Sequence, residues 1–432
     1  MTAEIGLLNK SGVVIAADSA VTISRVNKVF NNATKIFQLS DDFPVGIMIY
    51  NNASWMGIPL EIIIKQYKKK IKETSFKELK EYADDFIIYL KSNFLDMVTE
   101  DQVLEFIENR FYGILETLIE SVNSQFDERI ESKEIDQPKT IDDENKEKNT
   151  IFNEFIDALK HKKISEDILS DFENYTFKDF LSGYKKVIEK ILANFYLIYN
   201  LTRKGSTTTA LYRILYDELI HSFDSDEDFS GLVFAGYGED EIFPSIAEIK
   251  LGEVLSKKLR YVIKKDITIT HDNSAIVIPF AKRDMIDTFF QGVDPVLVEK
   301  MNDVLIEELE TLVSYFNKTH KVESSKVRDK TRKAFDNFNK KLFDFRKESH
   351  VNPIITSVSY LRKEDLVELA ESLVNITSLK RKTSHDLQSV GGPVDIAIIT
   401  KAEGFIWAKR KDVIPSEINL EYYIKELTNK IK

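Results

Sequence analysis

The feature that most constrains this chain is where its strand-like and helix-like stretches fall. Strand-like apolar runs gather at the two ends and in one central stretch, and helical periodicity fills the intervals between them. Near the start, residues 4–9 are short and mostly apolar, and residues 13–17 form an unbroken apolar run that ends in Asp18. Runs of this kind suit strands buried on both faces. Lys10, Ser11 and Gly12 between them read as a tight hairpin turn. Residues 35–39 and 45–50 are two further strands, separated by the turn-rich Ser40-Asp41-Asp42-Phe43-Pro44. Strand patterns return at 231–236, 246–251 and 275–280, and again at 394–400 and 405–409 across Lys401-Ala402-Glu403-Gly404. A sheet made from these pieces must draw on both ends of the chain.

The intervals are helical. Pro59 sits at a helix start, and Leu60, Ile63, Ile64 and Tyr67 follow at helical spacing. The periodicity continues, with interruptions, to about residue 219. Residues 128–149 break it; they are charged, lack aromatics and hold Pro138, so they read as a solvated loop. A second helical block runs from about 283 to 380. No repeat of solenoid period is present. The expected organisation is a sheet-rich core in three parts (2–56, 230–285 and 381–432), with helical layers and insertions at 57–229 and 286–380.

Composition narrows the function. Hydrophobic residues make up 43% of the 432 and charged residues 30%, a globular balance. No apolar run reaches membrane-spanning length, and the N-terminus lacks a secretory pattern, so no membrane partner is expected. The absence of cysteine excludes disulfides, thiolate metal sites and a Cys nucleophile, and fits a reducing cytoplasm. A net charge of −11 argues against general nucleic-acid binding. The six histidines are scattered without metal-ligand spacing, so neither a metal nor a cofactor is expected. No GxxxxGK[ST] loop is present. Lys204-Gly205-Ser206-Thr207 reads as a helix-start turn rather than a phosphate loop. Residues 321–347 mix bases, acids and four phenylalanines at helical spacing, which reads as an amphipathic packing helix.

One charge stands out. Asp18 ends a buried apolar strand, where a carboxylate needs a partner. Lys35, just before another apolar strand, is the natural candidate. The bland alternatives are a turn-capping Asp and a solvent-facing Lys.

Five segments, taken in order, resemble proteasome β-type subunits and their bacterial relatives. They are Thr2-Ala3-Glu4-Ile5-Gly6, the run Ser11 to Ser19 (SGVVIAADS), and Asn31 to Leu39 (NNATKIFQL). Then come Leu232-Val233-Phe234-Ala235-Gly236-Tyr237 and Ser389-Val390-Gly391-Gly392-Pro393-Val394-Asp395. The first three keep the family's spacing, with about one extra residue before Lys35. The resemblance implies an α+β fold: a four-layer αββα sandwich of the N-terminal-nucleophile (Ntn) hydrolases, here with two large helical insertions. It implies a threonine-type peptidase, with Thr2 as nucleophile once Met1 is removed.

The chemistry suits these residue types. A hydroxyl is a weak nucleophile and needs a base. The freed α-amine of Thr2, with an ordinary pKa of roughly 7.7–8.0, would lie beside its own hydroxyl. By the resemblance, Lys35 lowers the pKa of that hydroxyl and amine, and Asp18 holds Lys35. Asp386 and Ser389 have the family's Asp-x-x-Ser spacing and would support the amine. Because Val390 intervenes before the Gly pair, an alternative alignment puts Leu387 and Val390 there and leaves both roles empty. The oxyanion donor corresponds to Asn51, where the family has Gly; Asn tolerates unusual backbone angles. A Gly-Ser-Gly segment of the family is replaced by Pro279-Phe280-Ala281-Lys282. Val21, Thr22 and Ile49 would line the substrate cleft, Thr22 by pairing its backbone with an extended substrate. The implied partners are a peptide or protein substrate, further copies of the chain, and a separate ATPase or activator. Two other readings stay open: a small-molecule amidase with the same chemistry, and a non-catalytic assembly protein.

Overall fold

The computed structural model describes residues 3–23, 28–72, 74–160, 167–221, 229–281, 283–320, 324–383, 391–411 and Ile424. The first elements are strands β1 (Glu4–Asn9), β2 (Gly12–Asp18), β3 (Val21–Ile23), β4 (Lys28–Phe30), β5 (Ile36–Gln38), β6 (Val45–Asn51), β7 (Ser54–Trp55) and β8 (Ile58–Pro59). Helices α1 (Leu60–Lys70), α2 (Leu79–Phe94), α3 (Glu100–Glu131), α4 (Ile141–Lys160), α5 (Phe177–Ile198) and α6 (Gly205–Ile220) follow. Four strands return: β9 (Ser230–Gly236), β10 (Ser245–Leu255), β11 (Lys258–Thr268) and β12 (Ala275–Pro279). Then come α7 (Asp284–Gln291), α8 (Pro295–His320), α9 (Ser324–Arg346), α10 (Asn352–Tyr360) and α11 (Lys363–Thr383). The hairpin β13 (Val394–Thr400) and β14 (Gly404–Lys409) closes the described elements, Ile424 apart. Among the described residues, no helix is long and apolar enough to cross a membrane.

Ten strands form two five-stranded sheets, ordered β12-β1-β2-β13-β14 and β11-β10-β9-β6-β5, with every pairing antiparallel. In the first sheet β2 is central: Ala17 opposes Glu4 on β1, and Asp18 opposes Val394 on β13. Side chains alternate across each strand, so one sheet can line two cores. Ile5, Leu7, Val14 and Ala16 pack with Leu366, Ala370 and Leu373 of α11. Leu8, Val13 and Ile15 pack with Met48, Val233 and Ile246 of the second sheet. The other face of the second sheet packs with α1 and α2 through Ile47, Ile49, Phe234, Ile63, Tyr67 and Phe86.

Helices α3 to α6 form their own core around Phe111, Phe152, Phe180 and Leu211, touching the sheet at Leu255 and Val262. Helix α5 shows why the sequence folds this way. Thr176 and Asp179 form a capping box, and Phe180, Tyr184, Ile188, Ile191 and Phe195 recur on one buried face.

The structure corrects three expectations. Residues 128–149 are not one solvated loop: α3 runs to Glu131 and α4 begins at Ile141. Thr140 caps α4 by accepting from the Asp143 amide at 3.1 Å, and Ile151, Phe152 and Ile156 anchor its far half. The polar first turns are held from one end, which a composition window misses. Second, β11 is a strand in a stretch given no structure from sequence. It is an edge strand, and edge strands carry charges such as Lys264 and Asp266 that blur alternation. Third, residues 324–346 are helical, but Phe338, Phe343 and Phe345 are each about half exposed (48%, 58% and 59%), because α9 contributes to none of the buried clusters among the described residues.

Candidate functional site

The ends of β1, β2 and β5 meet around three charged side chains. Asp18, the last residue of β2, and Lys35, just before β5, are both buried. Lys35 Nζ donates to Asp18 Oδ1 at 2.6 Å and to Glu4 Oε1 at 2.9 Å. The three side chains are 3% exposed or less. Asp18 is also held by the backbone. Its Oδ1 accepts from the Ala3 amide at 3.2 Å and its Oδ2 from the Gly391 amide at 2.8 Å, while its own amide donates to Ala3 O at 3.1 Å. The sequence therefore folds the start of β1, the end of β2 and the approach to β13 onto one carboxylate. A buried ammonium at the ends of these strands can stabilise a neighbouring anion and depress the pKa of a neighbouring hydroxyl or amine.

Glu4 was not singled out by sequence reasoning. Its place shows only in the fold: Leu8 faces the second sheet, and a Cβ at Gly6 would meet Ile246, so period-2 alternation turns Glu4 the same way. A carboxylate on an inward-facing position needs a cation. A second polar pair lies between the sheets. The Tyr50 hydroxyl donates to Glu248 Oε1 at 2.5 Å. Burial first, then the Glu248 charge and this bond, then the Glu4 charge push the Tyr50 phenol well above its ordinary range. Gly231 makes room for that ring, since a Cβ there would fall 2.0 Å from it.

A third network was invisible in sequence because its members lie so far apart. Lys411 Nζ donates to Asp395 Oδ2 and Ala33 O, both at 2.6 Å, and to Ser19 Oγ at 2.8 Å. Ser19 Oγ in turn donates to Pro393 O at 2.7 Å. Lys411 thus ties together the residue after Asp18, the segment leading to Lys35, and the segment after Gly391.

The remaining expected residues fall as follows. Asn51, the last residue of β6, has a left-handed φ of 63°, and its Nδ2 donates to Phe229 O at 2.9 Å. The Ile49 amide donates to Lys35 O at 2.8 Å, so Asn51 lies two residues beyond the point opposite Lys35. The Ile49 side chain is buried in the cluster under α1 and α2. Val21 and Thr22 belong to the β3–β4 hairpin, where Thr22 opposes Val29. Thr2, Asp386 and Ser389, with the alternatives Leu387 and Val390, lie outside the described residues. A cavity of about 850 Å³ begins at Asn52 and is lined further by Ser54, Gln102, Arg110, Glu218 and Glu253. Among the described residues, no group of three or more His, Cys, Asp or Glu is placed to hold a metal ion.

No family model and no curated protein sequence matches this chain. Among solved structures, the chain is similar over its whole length, and over 96% of the other chain, to "Anbu (Gly-1) mutant from Hyphomicrobium sp. strain MC1". The identity is 9% and the TM-score 0.26, a likeness too low to carry an argument about fold or function.

Proposed function

We propose that this chain is an N-terminal threonine hydrolase that cleaves peptide or amide bonds through an acyl-enzyme on Thr2. In this reading the paired sheets and their flanking helices are the four-layer αββα sandwich of the Ntn hydrolases, and the helical regions are insertions into it. The observation that carries the reading is the buried Lys35–Asp18–Glu4 cluster. Two backbone amides reach Asp18, those of Ala3 and Gly391. Ala3 directly follows Thr2 in the chain, and Gly391 follows Ser389 by two residues.

Processing that leaves Thr2 first frees its α-amine. That amine takes the proton from the Thr2 hydroxyl, whose oxygen attacks the substrate carbonyl carbon. The Lys35 charge favours the developing alkoxide, and Asp18 and Glu4 hold Lys35 in place. The Asn51 amide is the proposed oxyanion donor. The protonated α-amine then gives its proton to the leaving amine, the scissile bond breaks, and water attacking the ester releases the acid and restores the hydroxyl. Asp386 and Ser389 would hold the α-amine, and the Thr22 backbone would pair with an extended substrate. The chemistry needs no metal or cofactor.

Thr2→Ala tests the reading directly. It should abolish hydrolysis of peptide and amide substrates while changing stability by no more than about 1 kcal/mol. Unchanged turnover in Thr2→Ala would end it.

A further inference from the structure

We propose that the α8–α9 hairpin is a self-association surface on which a second copy of this chain docks to form a four-helix bundle. The proposal does not depend on the hydrolase reading. On α8, Leu297, Met301, Val304 and Leu312 recur at spacings that put them on one side of the helix. Phe338 and Phe345 lie one heptad apart on α9. All six are between 45% and 59% exposed. Met301, Val304, Phe338 and Phe345 line one groove of about 650 Å³ between the two helices, so the two stripes form one face. Six half-exposed apolar side chains gathered on one face at seam spacing form a contiguous patch, the mark of a partner surface rather than of scattered surface apolarity.

Charge selects the occupant. Helix α8 carries five carboxylates against two lysines, and α9 carries eight Lys and Arg against three Asp. Stacked face to face about a two-fold axis along the hairpin, the acidic α8 of each copy lies on the basic α9 of the other. A two-fold axis across the hairpin would instead stack α8 on α8 and α9 on α9, setting like charges together. Glu308 lies in the α8 stripe and lines the groove, and Lys341 flanks the Phe338–Phe345 stripe. In this stacking Glu308 of one copy can pair with Lys341 of the other and help set the register. A helix of 23 residues is about 35 Å long, and two helices side by side are about 20 Å wide. The resulting footprint of about 700 Å² per copy is close to what a stable interface buries.

Light scattering and native mass spectrometry of the full chain at micromolar concentration test this. Wild type should be dimeric, or a higher assembly containing this dimer. Met301→Glu with Phe345→Glu should weaken association at least about 100-fold. Ile242→Glu, at a position 79% exposed in the loop before β10, should leave it intact. If the double variant fails to fold, Glu308→Lys and Lys341→Glu replace it. Each alone should weaken self-association, and mixing the two should restore mixed dimers. A monomeric wild type would assign the face to a different partner and overturn the proposal. So would a dimer indifferent to Met301→Glu with Phe345→Glu, or a charge-swapped mixture that yields no mixed dimers.

Discussion

Two ion pairs of equal length, 2.6 Å, sit in opposite surroundings. Lys35–Asp18 joins the ends of β2 and β5, with side chains 3% and 0% exposed, whereas Lys65–Glu61 lies along α1, 64% and 44% exposed. The contrast separates the region of the site from the helical regions. Around the site, charges are buried and held by several partners each; in the α3–α6 core, burial is mainly apolar and most charges face water. Distance is the same in the two pairs, so burial must decide what each is worth. Removing one member of a buried pair strands its partner in a low-dielectric interior, while an exposed pair is screened and surrenders its charges to water.

The largest expected effect breaks the buried pair. Lys35→Met leaves Asp18 and Glu4 facing each other without their shared ammonium, and should cost about 3–5 kcal/mol in denaturant unfolding. A loss under about 1 kcal/mol would show that water reaches the cluster, and the contrast would collapse. A similar loss in the helical core should have a different consequence. Phe152→Ala removes a fully buried ring packed on Phe195 and Tyr196, and should cost about 3–5 kcal/mol. Its effect on hydrolysis below the unfolding transition should be small, whereas Lys35→Met should abolish it.

The sequence revealed the parts of this picture that rest on local pattern. The apolar runs that became β1, β2, β6, β9 and β13 were legible because each is buried on both faces. Asp18 and Lys35 were legible as a pair because a carboxylate closing such a run demands a cation. Glu4 was not, because one acid at a strand start looks solvated until the sheet's inward face is known. The Lys411–Asp395–Ser19 network joins residues up to 392 positions apart, and no local pattern encodes it. Helix α4 was hidden by its polar first turns, and β11 by the charges of an edge strand.

A smaller effect concerns pH. Burial raises the Tyr50 and Tyr67 phenols above the ordinary value of 10.0 in the fold. Below pH about 10 both phenols are protonated in either state, and their contribution is fully present. As pH rises further, the unfolded chain ionises first, so each tyrosine should cost about 1.4 kcal/mol of stability per pH unit. Tyr50→Phe should remove one of these slopes from the unfolding free energy measured against pH. An unchanged slope would mean that Tyr50 ionises in the fold. The smallest effect belongs to the exposed pair: Lys65→Ala should change stability by no more than about 0.5 kcal/mol. A loss comparable to that of Lys35→Met would erase the distinction drawn between the two pairs.

The central claim is that the buried cluster serves a nucleophile at Thr2. Intact-mass and peptide mapping of the full chain, after treatment with an electrophile that captures an N-terminal threonine, tests it most directly. The account predicts one adduct per chain, on a peptide beginning at Thr2, formed far more slowly in folded Lys35→Met. No adduct at Thr2, or equal labelling in Lys35→Met, would contradict it.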